Sequence, residues 1–229
     1  MKLRNLLTPS RYFEFALRIL AGGQITYSQL GEDLILKHLM HGQKSGTYID
    51  IGANNPRFLS NTYLFYKMGW KGLCVDPNPS KINAHKIFRP KDIAVICGAG
   101  PKGTLTYYLY SDDGLNTSSE ETMESYAKKG IQPIKKIETS LFPLHELAKA
   151  HLPHLPIDIL SLDTEGNDMA ILTSNDWSVC SPRYIILETL EYSPTGLGAK
   201  LNPMYDPYLV SLGYTPIAET HINTIYRKS

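Results

Sequence analysis

The sequence predicts an α/β fold, with a mainly parallel sheet covered by helices on both faces. Three observations carry that prediction. Short runs rich in Ile, Leu and Val recur along the 229 residues, at Tyr48–Gly52, Leu73–Asp76, Asp92–Cys97, Ile157–Asp163 and Tyr184–Leu190. Helix-prone stretches separate them. Two of the runs, Leu73–Asp76 and Ile157–Asp163, close on an acid. Strands that are apolar on both faces are what a parallel sheet between two helical layers requires.

The elements follow in order. Residues 1–27 form an extension ahead of the main domain, 28–229. Within it Phe13, Leu17 and Leu20 share one face at helical spacing, while Glu14 and Arg18 interrupt the apolar run. The run is too short to span a bilayer. It reads as an amphipathic helix packed on the domain or a partner, or as a peripheral membrane contact through residues 1–20. The stretch SQLGEDLILKHLMH, 28–41, forms a helix with Leu30, Leu34, Ile35 and Leu39 on its apolar face, and Gly42 ends it. Ser60 or Asn61 caps a helix that runs through Met68 and stops at Gly69. The β-branched and aromatic run TLTYYLY, 104–110, reads as a strand near the sheet edge. A short strand at Ile134–Thr139 precedes a helix at Phe142–Ala150. Met169–Leu172 belongs to another helix. Thr215–Arg227 reads as two strands around His221, Ile222 and Asn223.

Composition narrows the function. A hydrophobic content of 42% and a charged content of 20% suit a folded domain with a real core. The net charge of +1 gives no field to attract nucleic acid, so no nucleic-acid partner is expected. Cys74, Cys97 and Cys180 form no metal-binding spacing, and their odd number fits a reducing compartment, so a cytoplasmic location is expected. The oligomeric state is not legible.

Ligands of such sheets sit at the carboxyl ends of the strands. The first turn there reads GANNP, with one glycine. A dinucleotide fold wants several glycines and free backbone N–H groups around its pyrophosphate. Here Asn54 and Asn55 carry side chains and Pro56 lacks the donor. A nicotinamide-dependent oxidoreductase is therefore disfavoured. A ligand without phosphate tolerates this turn. Asp76, ending the second strand, is placed to accept two ribose hydroxyls. That combination suits S-adenosylmethionine, which has a ribose, an amino acid tail and a sulfonium. The plainer alternative is an ordinary βαβ turn with a solvent-facing Asp.

The run YIDIGANNPRFLSNTYLFYKMGWKGLCVDPNP resembles the cofactor half of the FkbM-type family of S-adenosylmethionine-dependent methyltransferases. SQLGED upstream, GLNTSSEE, and IDILSLDTEGNDMAIL followed by YIILE match that family in order, over roughly Ser28 to Glu191. The resemblance implies a class I methyltransferase, Rossmann-like fold. Its seven-stranded sheet is mostly parallel, with helices on both faces and a C-terminal antiparallel hairpin. It also implies a cofactor set. Asp50, Gly52 and Asn54 line the methionine end, Asp76 holds the ribose, and Cys97, Gly98 and Ala99 border the adenine. Ala53, Asn55, Asn61, Pro77 and Asn78 fall in the same set.

Methyl transfer needs an acceptor held in line with the donor, and a proton taken from it if it is a hydroxyl. Carboxylates in LDTEGND favour a hydroxyl, and the resemblance points the same way, to a sugar, a glycan, a glycolipid or a natural product. Asp163, Glu165 and Glu188 are the catalytic candidates. They act as base and orienting group, or as ligands of a divalent ion, which the sequence does not require. Glu165 has a plainer role available as a helix cap, and Glu188 as a structural hydrogen-bond partner. Asp112, Asp113, Asn116 and Thr117, in the polar segment after TLTYYLY, are candidates for acceptor hydroxyls, or lie on a surface loop. A noncatalytic binding or scaffolding domain on the same fold is the rival reading.

Overall fold

The computed structural model describes residues 22–164, 166–190 and 202–229. The expected N-terminal amphipathic helix and Glu165 lie outside the described residues. The described elements are α1 Glu32–Leu39, β1 Thr47–Ile51, α2 Tyr63–Lys67, β2 Lys71–Asp76, α3 Pro79–Phe88, β3 Ile93–Ile96, β4 Gly98–Ala99, β5 Gly103–Leu109, α4 Glu120–Lys128, β6 Lys135–Phe142, α5 Leu144–His151, β7 Ile159–Leu162, α6 Asp168–Ser174, β8 Tyr184–Glu188, α7 Asn202–Ser211, β9 Tyr214–Glu219 and β10 Asn223–Lys228.

Seven strands form one sheet in the order β3-β2-β1-β7-β8-β10-β9. All its pairs are parallel except those of β10, which runs antiparallel to both β8 and β9. This is the class I methyltransferase topology with its C-terminal antiparallel hairpin. Burial explains why the strands read as continuous apolar runs. Ile49, Ile51, Leu73, Val75, Leu160 and Leu162 pack on one face with Leu147, Ile171 and Leu209. Tyr48, Cys74, Ile159 and Ile186 pack on the other with Leu36, Phe65 and Trp70. Both faces are core, so no polar alternation appears.

The run TLTYYLY departs from expectation. It forms β5 of a separate three-stranded sheet, β4-β6-β5, rather than an edge of the main one. Its partner β6 runs antiparallel along its full length, from Gly103 beside Leu141 to Leu109 beside Lys135. The face of α1 also departs from expectation. Leu30 lies outside the helix and is exposed, while Glu32 and Asp33 are buried. Asp33 accepts from Thr26 Oγ1 at 2.6 Å and from the Tyr27 amide at 2.8 Å. Glu32 accepts from Asn223 Nδ2 at 2.9 Å and Thr220 Oγ1 at 2.8 Å, tying α1 to the β9–β10 turn. Burial alone would raise the Glu32 pKa, but the Asn223 and Leu30 hydrogen bonds outweigh it and hold the carboxyl below its ordinary value.

Candidate functional site

Register sets the site. Ile51 of β1 lies beside Val75 of β2 and Leu162 of β7, and Leu162 lies beside Leu187 of β8. The next residues along, Gly52, Asp76, Asp163 and Glu188, therefore form a row at the carboxyl edge of the sheet. A cleft opens there, between this edge and the small sheet.

At its centre the turn after β1 passes against the chain leaving β7. Gly52 has φ 77°, and a Cβ on it would fall 1.8 Å from the Asp163 carbonyl oxygen, so only glycine fits. The amides of Gly52 and Ala53 both donate to Val75 O, at 3.0 and 3.1 Å. Asn54, at φ 36°, turns its own amide onto Asp76 Oδ2 at 3.0 Å. Asn55 Oδ1 accepts from the amides of Arg57 and Phe58 and carries the loop away.

At one end stands Asp76, which is buried. Its Oδ1 takes the Asn78 amide at 2.7 Å and its Oδ2 the Asn54 amide. Burial pushes its pKa up to about 6, against the pull of those two amides and of Lys81. Asn78 caps α3 by accepting from the Ser80 amide at 3.0 Å. Val75, Pro77, Cys97, Gly98, Ala99 and Leu105 line a mostly apolar slot beside Asp76. Lys81 and Asp113 pair at 2.6 Å on its rim.

At the other end, Asp163 follows β7 level with Glu188. Burial pushes the Asp163 carboxyl above its ordinary value. A hydrogen bond with Glu188 works against that rise, and the charge of Asp50 adds to it. Behind them Asp168 accepts from Thr164 Oγ1 at 2.7 Å, and burial pushes it up to about 7. Asn167 Nδ2 donates to Ala99 O at 3.1 Å and joins this floor to the small sheet. Among the described residues no three His, Cys, Asp or Glu side chains converge as a metal site.

Of the residues singled out from sequence, the cleft is lined by Gly52, Asn54, Asp76, Pro77, Asn78, Cys97, Gly98, Ala99, Asp113, Asn116 and Asp163. Among the described residues, the others lie behind or beside it. Asp50 is buried under the turn and accepts from Thr62 Oγ1 at 2.5 Å. The Ala53 carbonyl meets His85 Nε2 at 3.2 Å. Asn61 donates to Ser161 Oγ at 3.2 Å. Asp112 accepts from the Gly114 amide at 3.1 Å. Thr117 pairs with Tyr108 through both backbones. Lys81, Tyr107, Ser118, Thr164 and Asn167 line the cleft without having been singled out. Thr164 and Asn167 lie inside LDTEGND, and Lys81 lies three residues beyond the Asn78 cap, so their positions held the signal.

The model of the methyltransferase FkbM domain matches residues 50–216. The chain belongs to the FkbM methyltransferase family. It is an S-adenosylmethionine-dependent methyltransferase. No curated protein matches this FkbM chain. Among solved structures it is similar to a TehB-like SAM-dependent methyltransferase from Corynebacterium glutamicum, at 12% identity over 97% of this chain and 100% of that one, with a TM-score of 0.43. It is also similar to the 1,6-didemethyltoxoflavin-N1-methyltransferase of Burkholderia thailandensis, solved with 1,6-didemethyltoxoflavin and S-adenosylhomocysteine. There the identity is 11%, over 98% of this chain and 92% of that one, with a TM-score of 0.45. The fold assignment rests on the strand order and the family match.

Proposed function

We propose that this FkbM protein is an O-methyltransferase whose acceptor is a hydroxyl of a sugar, a glycan, a glycolipid or a related natural product. The observation that carries the reading is the Asp163–Glu188 pair at the ends of adjacent strands. Burial raises the proton affinity of Asp163, and a hydrogen bond with Glu188 couples the two carboxyls at one place. An ionised carboxylate of raised proton affinity accepts a proton more readily than an ordinary one, and losing a proton is what a hydroxyl acceptor needs from the enzyme.

The cleft fits the donor. S-adenosylmethionine supplies a methyl group activated by a sulfonium. Each Asp76 oxygen already takes one amide and keeps a lone pair for a ribose hydroxyl. The slot from Val75 to Ala99 and Leu105 is lined by apolar groups that suit a purine. Asp163 and the buried Asp50 set a negative field at the far end, which suits a cation. Asn54 and Pro56 replace the glycines and free amide that a phosphate would want, and the donor has no phosphate.

Asp163 accepts the hydrogen bond of the acceptor hydroxyl and takes its proton as the new C–O bond forms. Glu188 orients Asp163 and shares the proton. Asp113, Asn116 and Ser118, on the side of the small sheet, orient further hydroxyls of the acceptor. All three cysteines are free and buried, in keeping with a reducing, cytoplasmic setting.

Two measurements test this. Calorimetric titration with S-adenosylhomocysteine should show binding in the micromolar range, and a silent titration removes the cofactor site. Transfer of labelled methyl to matched panels of hydroxylated and amine acceptors should put the label on oxygen. Label on nitrogen alone overturns the O-methyl assignment.

A further inference from the structure

The loop that leaves the cleft after Asn55 ends in an unusual surface. Phe58 and Leu59 are each 70% exposed. Leu59 also holds φ 55°, a left-handed conformation that an L side chain adopts only at a cost. Two unfavourable features thus coincide on one residue. At the end of α3, Ile87 is 71% and Phe88 43% exposed. The two segments meet, because the Arg57 guanidinium lies 4.1 Å from the centre of the Phe88 ring. Exposed apolar side chains are ordinary singly and informative when they gather.

The charge around them has one sign. Arg57, Lys86 and Lys91 are all exposed, and among the described residues none of them makes an ion pair. The neighbouring acid, Asp92, is lost to the surface. Its side chain is wholly buried against Arg89 at 2.7 Å. A chain with a net charge of only +1 therefore gathers unbalanced positive charge around these apolar side chains.

We infer that this patch docks the protein on an anionic lipid surface. Phe58, Leu59 and Ile87 enter the headgroup layer, and Arg57, Lys86 and Lys91 pair with lipid phosphates. A protein partner would match an apolar patch with a polar rim of mixed sign, whereas unbalanced cations fit a sheet of phosphates. The same loop begins at Asn54 in the cleft wall, so docking brings the cofactor turn beside the membrane. The inference does not depend on which atom is methylated.

The test is cosedimentation of the full chain with vesicles of phosphatidylcholine, with and without phosphatidylglycerol. Wild type should bind only the phosphatidylglycerol vesicles and release at high salt. Replacing Arg57, Lys86 and Lys91 together by Gln should weaken binding roughly a hundredfold, at about fivefold per cation. The pair Phe58→Asp and Ile87→Asp should abolish it. Because these side chains are exposed, the variants should keep the wild-type melting temperature and affinity for S-adenosylhomocysteine. No binding by wild type overturns the inference. Undiminished binding by the variants does so too, and would assign the contact to residues 1–21. Loss of self-association in the variants, measured by light scattering, without any vesicle binding would make the patch a contact between copies instead.

Discussion

Asp76 and Asp163 stand at opposite ends of one cleft and are held in opposite ways. Both oxygens of Asp76 are fixed by backbone amides, from Asn78 and Asn54. The hydrogen bond identified for the Asp163 side chain comes from another carboxyl, Glu188. A carboxylate clamped by amides is a rigid acceptor with lone pairs aimed outward. A carboxyl facing a second acid is a place to keep a proton. In the proposed function the same side chain serves recognition at one end and proton transfer at the other, and its nearest donors decide which.

The contrast breaks most sharply at the chemical step. Asp163→Asn should lower turnover a hundred- to ten-thousandfold, the usual scale for losing a general base, while the affinity for S-adenosylhomocysteine stays within about threefold. Single-turnover assays with the acceptor found in the label-transfer screen would check it. An Asn variant that keeps its rate removes Asp163 from the chemistry. The reverse pattern belongs to Asp76. Its replacement by Ala should weaken S-adenosylhomocysteine more than tenfold, since hydrogen bonds to a charged group contribute about 1.5–3 kcal/mol. Unchanged affinity in calorimetry would end the ribose assignment.

A pH series sharpens the same contrast. In the proposed ribose contact the hydroxyls donate to the ionised form of Asp76, so bound ligand should favour deprotonation. Affinity should hold above the Asp76 value of about 6 and fall about tenfold for each pH unit below it. Calorimetry at several pH values would show it, and an affinity that rises on acidification contradicts the assignment. The smallest effect is expected at the rim. Asp113 is largely exposed, so Asp113→Ala should change S-adenosylhomocysteine affinity by no more than about fivefold, and less in high salt. A loss as large as that of Asp76→Ala would mean that the rim, not the clamp, holds the ligand.

The cleft's row of residues was legible because each lies at the end of an apolar strand or one step past it. Burial and the turn mark that place in sequence without any knowledge of pairing. What lay off the strands was harder to read. The helix α3 has a clear start, Asn78 followed by Pro79, but only Ile82 and His85 are buried along it, so no apolar face announces it. The helix α7 contains Pro207, a residue that argues against a helix interior. The run TLTYYLY declares a strand but not its partner, which lies some thirty residues on in KKIETSLF. The sequence places Asp50 and Asn61 on the cofactor side by position, and in the structure their side chains hydrogen-bond with Thr62 and Ser161. Alternation along a strand sends neighbouring side chains to opposite faces, and a strand buried on both gives no sign of which is which.

The placement of β10 bears on how the chain comes together as it is made. This strand lies inside the sheet, between β8 and β9, yet it is translated after both. Until residues 223–228 leave the ribosome, β8 offers an open edge along Tyr184–Glu188, and β9 has no neighbour to bind. The nascent protein must carry that unpaired apolar edge for the time needed to synthesise residues 189–228, when annealing to another chain is the main hazard. Completion of the domain is therefore a single late event, in which one strand slides between two others and closes the sheet.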